Sequence, residues 1–163
     1  MKWIWLVAVL ALILTIPHAG AFTADTLDIS VGQGGDSSIT FRYNLNWIEY
    51  FVVYLKIADP ADQIRDLLEQ EFRRPVEVDS VTPESVSIRV HQFAAVRTTG
   101  EGTTYTTPPL SFAAAEEVLR RQWFAALVSP DFSPRITTVQ FPDGYTQRFD
   151  NQISIPAVTH TVA

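Results

Sequence analysis

Short segments of alternating apolar and polar residues, separated by glycine or proline turns, recur through this sequence. The clearest pair is residues 136–141 and 145–149, which flank the turn Pro142-Asp143-Gly144. Alternation with a period of two is typical of a strand with one buried face. A glycine in the turn can take the positive φ that a tight hairpin requires. The pattern therefore predicts a sheet built mainly from antiparallel hairpins.

The same pattern predicts six further strands and three further turns. The turn at residues 32–36 is rich in glycine, but it lacks the Lys-Ser/Thr pair and the following helix of a phosphate-binding loop. We therefore interpret it as a plain hairpin turn. The other turns are at residues 82–84 and 100–102. The six strands are predicted at residues 26–31, 38–45, 76–80, 85–96, 103–107 and 153–162.

Two other segments have the periodicity of amphipathic helices. The first spans residues 61–74, after Asp59 as the N-cap and Pro60 at the first helical position. The second spans residues 112–127, with Ser111 as its cap. In both, apolar residues three and four apart form one stripe, which is the face that a helix buries.

Residues 47–57 are apolar nearly all round, and two interpretations of them stay open. The spacing of Asn46 and Glu49 is that of a capping box and favours a buried helix. The β-branched and aromatic content also suits a buried strand. The fold class that follows is α+β, a mainly antiparallel sheet built from hairpins with two or three helices packed on one face.

The N-terminus has the three parts of a secretory signal peptide in the usual order. Lys2 provides the positive charge, residues 4–16 form an apolar run broken only by Thr15, and Ala19-Gly20-Ala21 offers small residues for cleavage. An uncleaved membrane anchor is the alternative interpretation. A spanning helix needs about 20 apolar residues to cross roughly 30 Å of hydrocarbon, and this run is shorter.

The predicted organisation is therefore a signal peptide at residues 1–21 and a single secreted α+β domain at residues 22–163. We expect the domain to be secreted or held in the cell envelope, with no membrane span after cleavage. The sequence does not predict its oligomeric state.

Composition excludes several classes of function. The chain has no cysteine, which removes disulfides, thiolate metal ligands and cysteine nucleophiles. Its 12 basic and 18 acidic residues give a net charge of −6 without a basic patch. Nucleic acid binding depends on clustered lysine and arginine, so we expect no nucleic acid partner.

The candidate metal ligands do not form a predicted site. His91 lies on the polar face of a predicted strand, and His160 lies near the chain end, where fraying is common. Zinc takes three or four ligands at characteristic spacings, which two such histidines do not provide. Asp62, Asp66 and Glu69 share one face of the predicted helix at 61–74, and that face is typical of solvated polar residues. We predict no metal and no cofactor.

Catalytic signals are equally sparse. His91 is the one realistic general base, and no serine lies in a Gly-x-Ser-x-Gly motif. A pair of carboxylates can meet in space without any sequence signal. No catalytic, cofactor-binding or metal residue is therefore predicted.

Aromatic residues are the remaining candidate for a binding surface. A sequence cluster of them can form the core of a domain without disulfides, or in part line a surface for sugars or proteins. The cluster consists of Tyr43, Trp47, Tyr50, Phe51 and Tyr54.

The favoured function is a secreted or cell-envelope module that binds protein or polysaccharide without catalysis. The alternative is a small secreted hydrolase with acid and histidine chemistry in a cleft. An open sheet edge or a flat apolar patch would favour the first, and a concave pocket with convergent titratable groups would favour the second.

Overall fold

The computed structural model describes residues 23–44, 65–66, 68–69, 72–82, 84–113, 117 and 131–163. Eleven strands lie in these residues. They are β1 Thr23–Val31, β2 Ser37–Asn44, β3 Val76–Val81, β4 Ser85–Val90, β5 Ala95–Thr99, β6 Gly102–Thr106, β7 Leu110–Ser111, β8 Ile136–Gln140, β9 Thr146–Asp150, β10 Ser154–Ile155 and β11 Thr159–Val162.

Six of these strands form the main sheet, in the order β3-β4-β2-β1-β8-β9. Neighbours in this sheet run antiparallel, except that β8 runs parallel to β1, with Thr26 opposite Ile136 and Ser30 opposite Gln140. Two strands far apart in sequence therefore meet at the centre of the sheet. This parallel pair brings the last hairpin, β8–β9, beside the first one, β1–β2.

A second sheet has three antiparallel strands in the order β11-β6-β5, and β7 pairs with β10 in a third, two-stranded sheet. Tyr105 of β6 lies opposite Val96 of β5 on one side and His160 of β11 on the other. Tyr105 is buried, so this row of residues marks the inner face of the second sheet.

The core lies between the main sheet and the second sheet. Leu27, Ile29 and Val139 belong to one buried cluster with Phe93 and Tyr105. Burial of a large apolar side chain contributes roughly 1.5–3 kcal/mol. A cluster of this kind stabilises the fold without disulfides, because the chain has no cysteine.

The predicted fold class is wrong. Strand makes up 57% of the part that the structure describes, and helical conformation is confined there to isolated residues, so the molecule is mostly sheet and not an α+β domain with two or three helices on one face. The physical reason is that the alternating segments form several sheets, and the main sheet is covered by another sheet. The predicted helix at 47–57 and the predicted signal peptide at 1–21 lie outside the described residues. Within the predicted helix at 61–74, residues 65, 66, 68, 69 and 72 are helical, and within the one at 112–127 only residues 112, 113 and 117 are described, the last two of them helical.

Most strand predictions are confirmed, and two are wrong in extent. The segment predicted as one strand at 85–96 divides into β4 and β5, because the chain leaves the main sheet at His91–Ala94 with a positive φ of 51° at Gln92. The last predicted strand divides into β10 and β11 at Pro156, which has no N–H to donate to a ladder. The short strand β7 was not predicted.

Gly102 is the residue that lets β11 approach β6. Its φ is 139°, and a Cβ built there would lie 2.3 Å from the carbonyl oxygen of Val162. We predict that Gly102→Ala lowers the free energy of unfolding by about 1–3 kcal/mol, because the strained backbone and the overlap both act against pairing of β11. Chemical denaturation measures the change.

The matched control for this prediction is Gly100→Ala in the same hairpin. No atom lies within 4 Å of a Cβ built at Gly100, so the expected change is within about 0.5 kcal/mol. Equal effects of the two substitutions would show that the approach of β11 does not depend on Gly102.

Candidate functional site

The turn between β8 and β9 has the conformation that the sequence predicts. The N–H of Phe141 donates to the carbonyl of Tyr145 at 2.8 Å, and the N–H of Gly144 donates to the carbonyl of Phe141 at 2.9 Å. Gly144 has a φ of 88°. Asp143 Oδ1 accepts the N–H of Tyr145 at 3.0 Å, which fixes the carboxylate at the tip of the hairpin.

The hairpin tip packs against the inner face of the second sheet through an aromatic cluster. Phe141 is buried, and its ring centroid lies 5.1 Å from that of His160, 6.1 Å from that of Tyr145 and 6.4 Å from that of Tyr105. Tyr145 and His160 are stacked, with centroids 4.1 Å apart and planes at 8°. These contacts join residues of β6 and β11 with the β8–β9 turn.

His160 and Asp143 form a hydrogen-bonded pair at this junction. His160 Nε2 lies 2.7 Å from Asp143 Oδ2. This hydrogen bond, followed by the one from the N–H of Tyr145, holds the pKa of Asp143 below its ordinary value.

The expectation that His160 frays is wrong, because β11 pairs with β6. Val158, His160 and Val162 alternate with Thr159 and Thr161, a signal that could have placed His160 on an inward face.

A concavity of about 460 Å³ lies beside the hairpin tip. Its wall includes Val96 and Thr98 of β5, Tyr105 of β6, and Pro142 and Asp143 of the hairpin. Among the described lining residues, Asp143 has the only charged side chain. The side chains of the site therefore combine apolar, hydroxyl and amide groups with one carboxylate.

β5 forms one border of this concavity and one edge of the second sheet. All five of its residues are exposed, and in the described part of the chain β5 pairs only with β6. Gly35 lies against the start of β5, where the N–H of Ala94 donates to the Gly35 carbonyl at 2.9 Å. Within the described residues, the remainder of the strand has no partner on its other side.

His91 lies in a separate cluster, between two carboxylates. Its Nε2 lies 3.1 Å from Glu77 Oε1, and its Nδ1 lies 3.4 Å from Asp36 Oδ2. A ring that donates from both nitrogens is an imidazolium. These contacts raise the pKa of His91, with the hydrogen bond to Glu77 as the largest cause. Hydrogen bonding to His91 likewise lowers the pKa of Glu77.

The cluster around His91 holds three parts of the main sheet together. Asp36 precedes β2, Glu77 is in β3, and His91 follows β4. Asp36 Oδ1 also accepts the N–H of Gln92 at 2.8 Å, which is the main cause of its lowered pKa. Because both ring nitrogens face carboxylates, His91 has no free nitrogen to act as a general base, which supports a structural role for it.

Three other candidate residues from the sequence lie in the described part of the chain. Tyr43 is buried, and its hydroxyl donates to the Thr82 carbonyl at 3.0 Å. Burial raises the pKa of Tyr43, and this member of the aromatic cluster belongs to the core. Glu69 Oε1 accepts the N–H of Val76 at 3.1 Å, and Asp66 is exposed. The remaining residues lie outside the described ranges. They are Trp47, Tyr50, Phe51, Tyr54 and Asp62.

Comparison of the chain with protein-family models, curated proteins and solved structures found no match. Within the described residues, no helix is long and apolar enough to cross a membrane. No group of three or more histidine or acidic side chains in the same residues is arranged to hold a metal ion. The geometry of the hairpin tip and of β5 is therefore what indicates a function.

The contacts of His91 predict a pH dependence of stability. The pKa of His91 is raised in the folded state. Its contribution to the free energy of unfolding is therefore complete below the unfolded pKa of about 6.5, and it is lost as the pH rises through the pKa of the folded state. The lowered pKa values of Asp36 and Glu77 give a contribution that is present above about pH 4 and is lost as the pH falls further. The stability difference between wild type and His91→Gln should therefore be largest between about pH 5 and 6.5.

Chemical denaturation of both proteins at a series of pH values measures this difference, and both should fold. In a Glu77→Gln background the pH dependence should shrink, because the principal partner of His91 is then neutral. A difference that stays constant from pH 5 to pH 9 would contradict the assignment of these contacts.

Proposed function

We propose that the chain is an exported, non-catalytic binding module that contacts a partner protein through the free edge of β5. The observation that carries the proposal is that β5 is exposed at all five residues and pairs, in the described part, with β6 alone. An unpaired strand edge presents N–H and C=O groups in a row, and an extended segment of another protein can pair with them.

The edges of the main sheet differ from β5 in how they are protected. The β3 edge contains a bulge, and its Glu77 and Asp79 pair with Arg89 at 3.1 and 3.5 Å. The β9 edge has an ion pair between Arg148 and Asp150 at 2.7 Å. Charged side chains and bulges are the usual means of blocking strand addition.

β5 has less of such protection. Its sequence, Ala-Val-Arg-Thr-Thr, has one charged residue, Arg97, and no proline, and its pairing with β6 has no bulge. β11, the other edge of the same sheet, is shorter, with four residues. β5 is therefore the edge that fits strand addition best.

The alternative of a hydrolase has less support. Both nitrogens of His91 face carboxylates, and His160 is held by Asp143 and by stacking on Tyr145. In the described contacts neither ring meets a serine or threonine hydroxyl that would act as a nucleophile. These contacts favour binding over catalysis.

A second candidate partner is a polysaccharide that contacts Tyr145. This residue is 44% exposed, the highest value among the large exposed hydrophobic residues of the described chain. Its hydroxyl donates to Gln147 Oε1 at 3.1 Å, so an aromatic ring and an amide lie side by side. An amphipathic surface of this kind suits a sugar ring.

Export predicts a defined N-terminus. Full-length protein expressed with an active secretion pathway should be recovered outside the cytoplasm and begin at Phe22, because the small residues before it suit signal peptidase. Intact mass spectrometry measures this. A protein that keeps Met1 and stays in the membrane would contradict export as a free domain.

Docking at β5 predicts a position-dependent cross-link. A photoreactive phenylalanine analogue at Ala95 should give a discrete covalent adduct with one heterologous protein in living cells. The same analogue at Ser80, exposed on the β3 edge, should not give that adduct. Equal adduct patterns at both sites, or none at Ala95, would contradict docking at β5.

A carbohydrate that binds the wild-type protein and does not bind the Tyr145→Ala variant would favour the polysaccharide as the partner instead.

A further inference from the structure

We infer that the segment that adds to β5 comes from a different protein and places a lysine or arginine in the concavity beside Asp143, with an acidic residue next to it in sequence. The inference rests on the proposed function, because it requires β5 to be the docking edge. It names the chemistry by which the partner is recognised.

The two faces of β5 differ in their surroundings. Val96 and Thr98 line the concavity, whereas Arg97 lies opposite Thr104 on the other face of the second sheet. Side chains of a strand alternate between faces, and paired residues of neighbouring strands share a face. In an added strand, the residue opposite Arg97 therefore points away from the concavity, and its two sequence neighbours point toward it.

The concave side favours a cation. Asp143 has the only charged side chain among the described lining residues, and its lowered pKa keeps it ionised at neutral pH. A carboxylate has about four lone-pair sites, and the described hydrogen bonds from His160 and Tyr145 use one at each oxygen. Asp143 can therefore accept charge-assisted hydrogen bonds from an incoming lysine or arginine. The net charge of −6 also attracts a basic segment.

The opposite face favours an acidic residue. Arg97 is exposed and forms no ion pair within the described residues. Its cross-strand neighbour Thr104 is uncharged, and beyond it lies Thr161, whose hydroxyl is 2.8 Å from that of Thr104. An aspartate or glutamate opposite Arg97 would make a favourable cross-strand pair.

A second copy of this chain is a poor occupant. The antiparallel register that pairs all five residues of two β5 strands places Arg97 directly opposite Arg97 of the other copy. Like charges directly opposite each other destabilise a sheet, and two chains of net charge −6 repel each other. The occupant is therefore a heterologous segment.

Selection from a phage-displayed library of random eight-residue peptides on the immobilised protein tests the inference. Enriched peptides should contain lysine or arginine next to aspartate or glutamate. Their affinity should fall about tenfold with Asp143→Asn, which removes a charge-assisted hydrogen bond but keeps an oxygen to accept the N–H of Tyr145. Glu101→Gln, an exposed acid of the β5–β6 turn outside the concavity, should leave the affinity unchanged.

Thermal unfolding of Asp143→Asn checks that the hairpin is intact. If this variant does not fold, Arg97→Gln provides an independent test, because it should remove the enrichment for acidic residues. Peptides that cross-link to position 95 without a basic residue would overturn the inference and leave the proposed function standing. Failure to select any peptide, or peptides that bind without cross-linking there, would overturn both.

Discussion

Burial of Phe141 between the two larger sheets is the contact on which the rest of the site depends. Its ring meets Tyr105 of β6 and His160 of β11, so the tip of the β8–β9 hairpin is fixed against the inner face of the second sheet. That contact places Asp143 at the concavity. In the part of the chain that the structure describes, β5 lies on the far side of β6 and forms an edge of the second sheet.

The loop at residues 32–36, before β2, contacts the segment between β4 and β5. These contacts are a second connection between the main sheet and the second sheet. Asp36 accepts the N–H of Gln92, and the carbonyl of Gly35 accepts the N–H of Ala94. A Cβ at Gly35 would lie 2.4 Å from the Ala94 carbonyl oxygen, so only glycine permits this approach. In the same loop, the backbone carbonyl of Gln33 accepts a hydrogen bond from the hydroxyl of Tyr105. β5 is therefore held at its start and through its neighbour β6, and no other strand of the described part pairs with its second side.

Local structure could be predicted from the sequence because strand periodicity and turn chemistry are local. The turn at Pro142-Asp143-Gly144 and the alternation in β2 are examples. The layer covering the main sheet could not be predicted, because it depends on pairing between distant segments such as β6 with β11. The site was missed for the same reason: Asp143 and His160 meet only after β11 pairs with β6. Asp143 belongs to a recognisable turn, but neither residue belongs to a catalytic or binding motif with a recognisable spacing.

Amide hydrogen exchange is the most direct measurement of whether β5 is the docking edge. The rates would be compared in the free protein and in the presence of a saturating selected peptide. Strand addition predicts slower exchange at alternate amides of β5, since every second residue directs its N–H to the free side. Exchange in β3 and β9 should not change. Unchanged rates in β5, or slowing at β3 or β9 instead, would contradict the account.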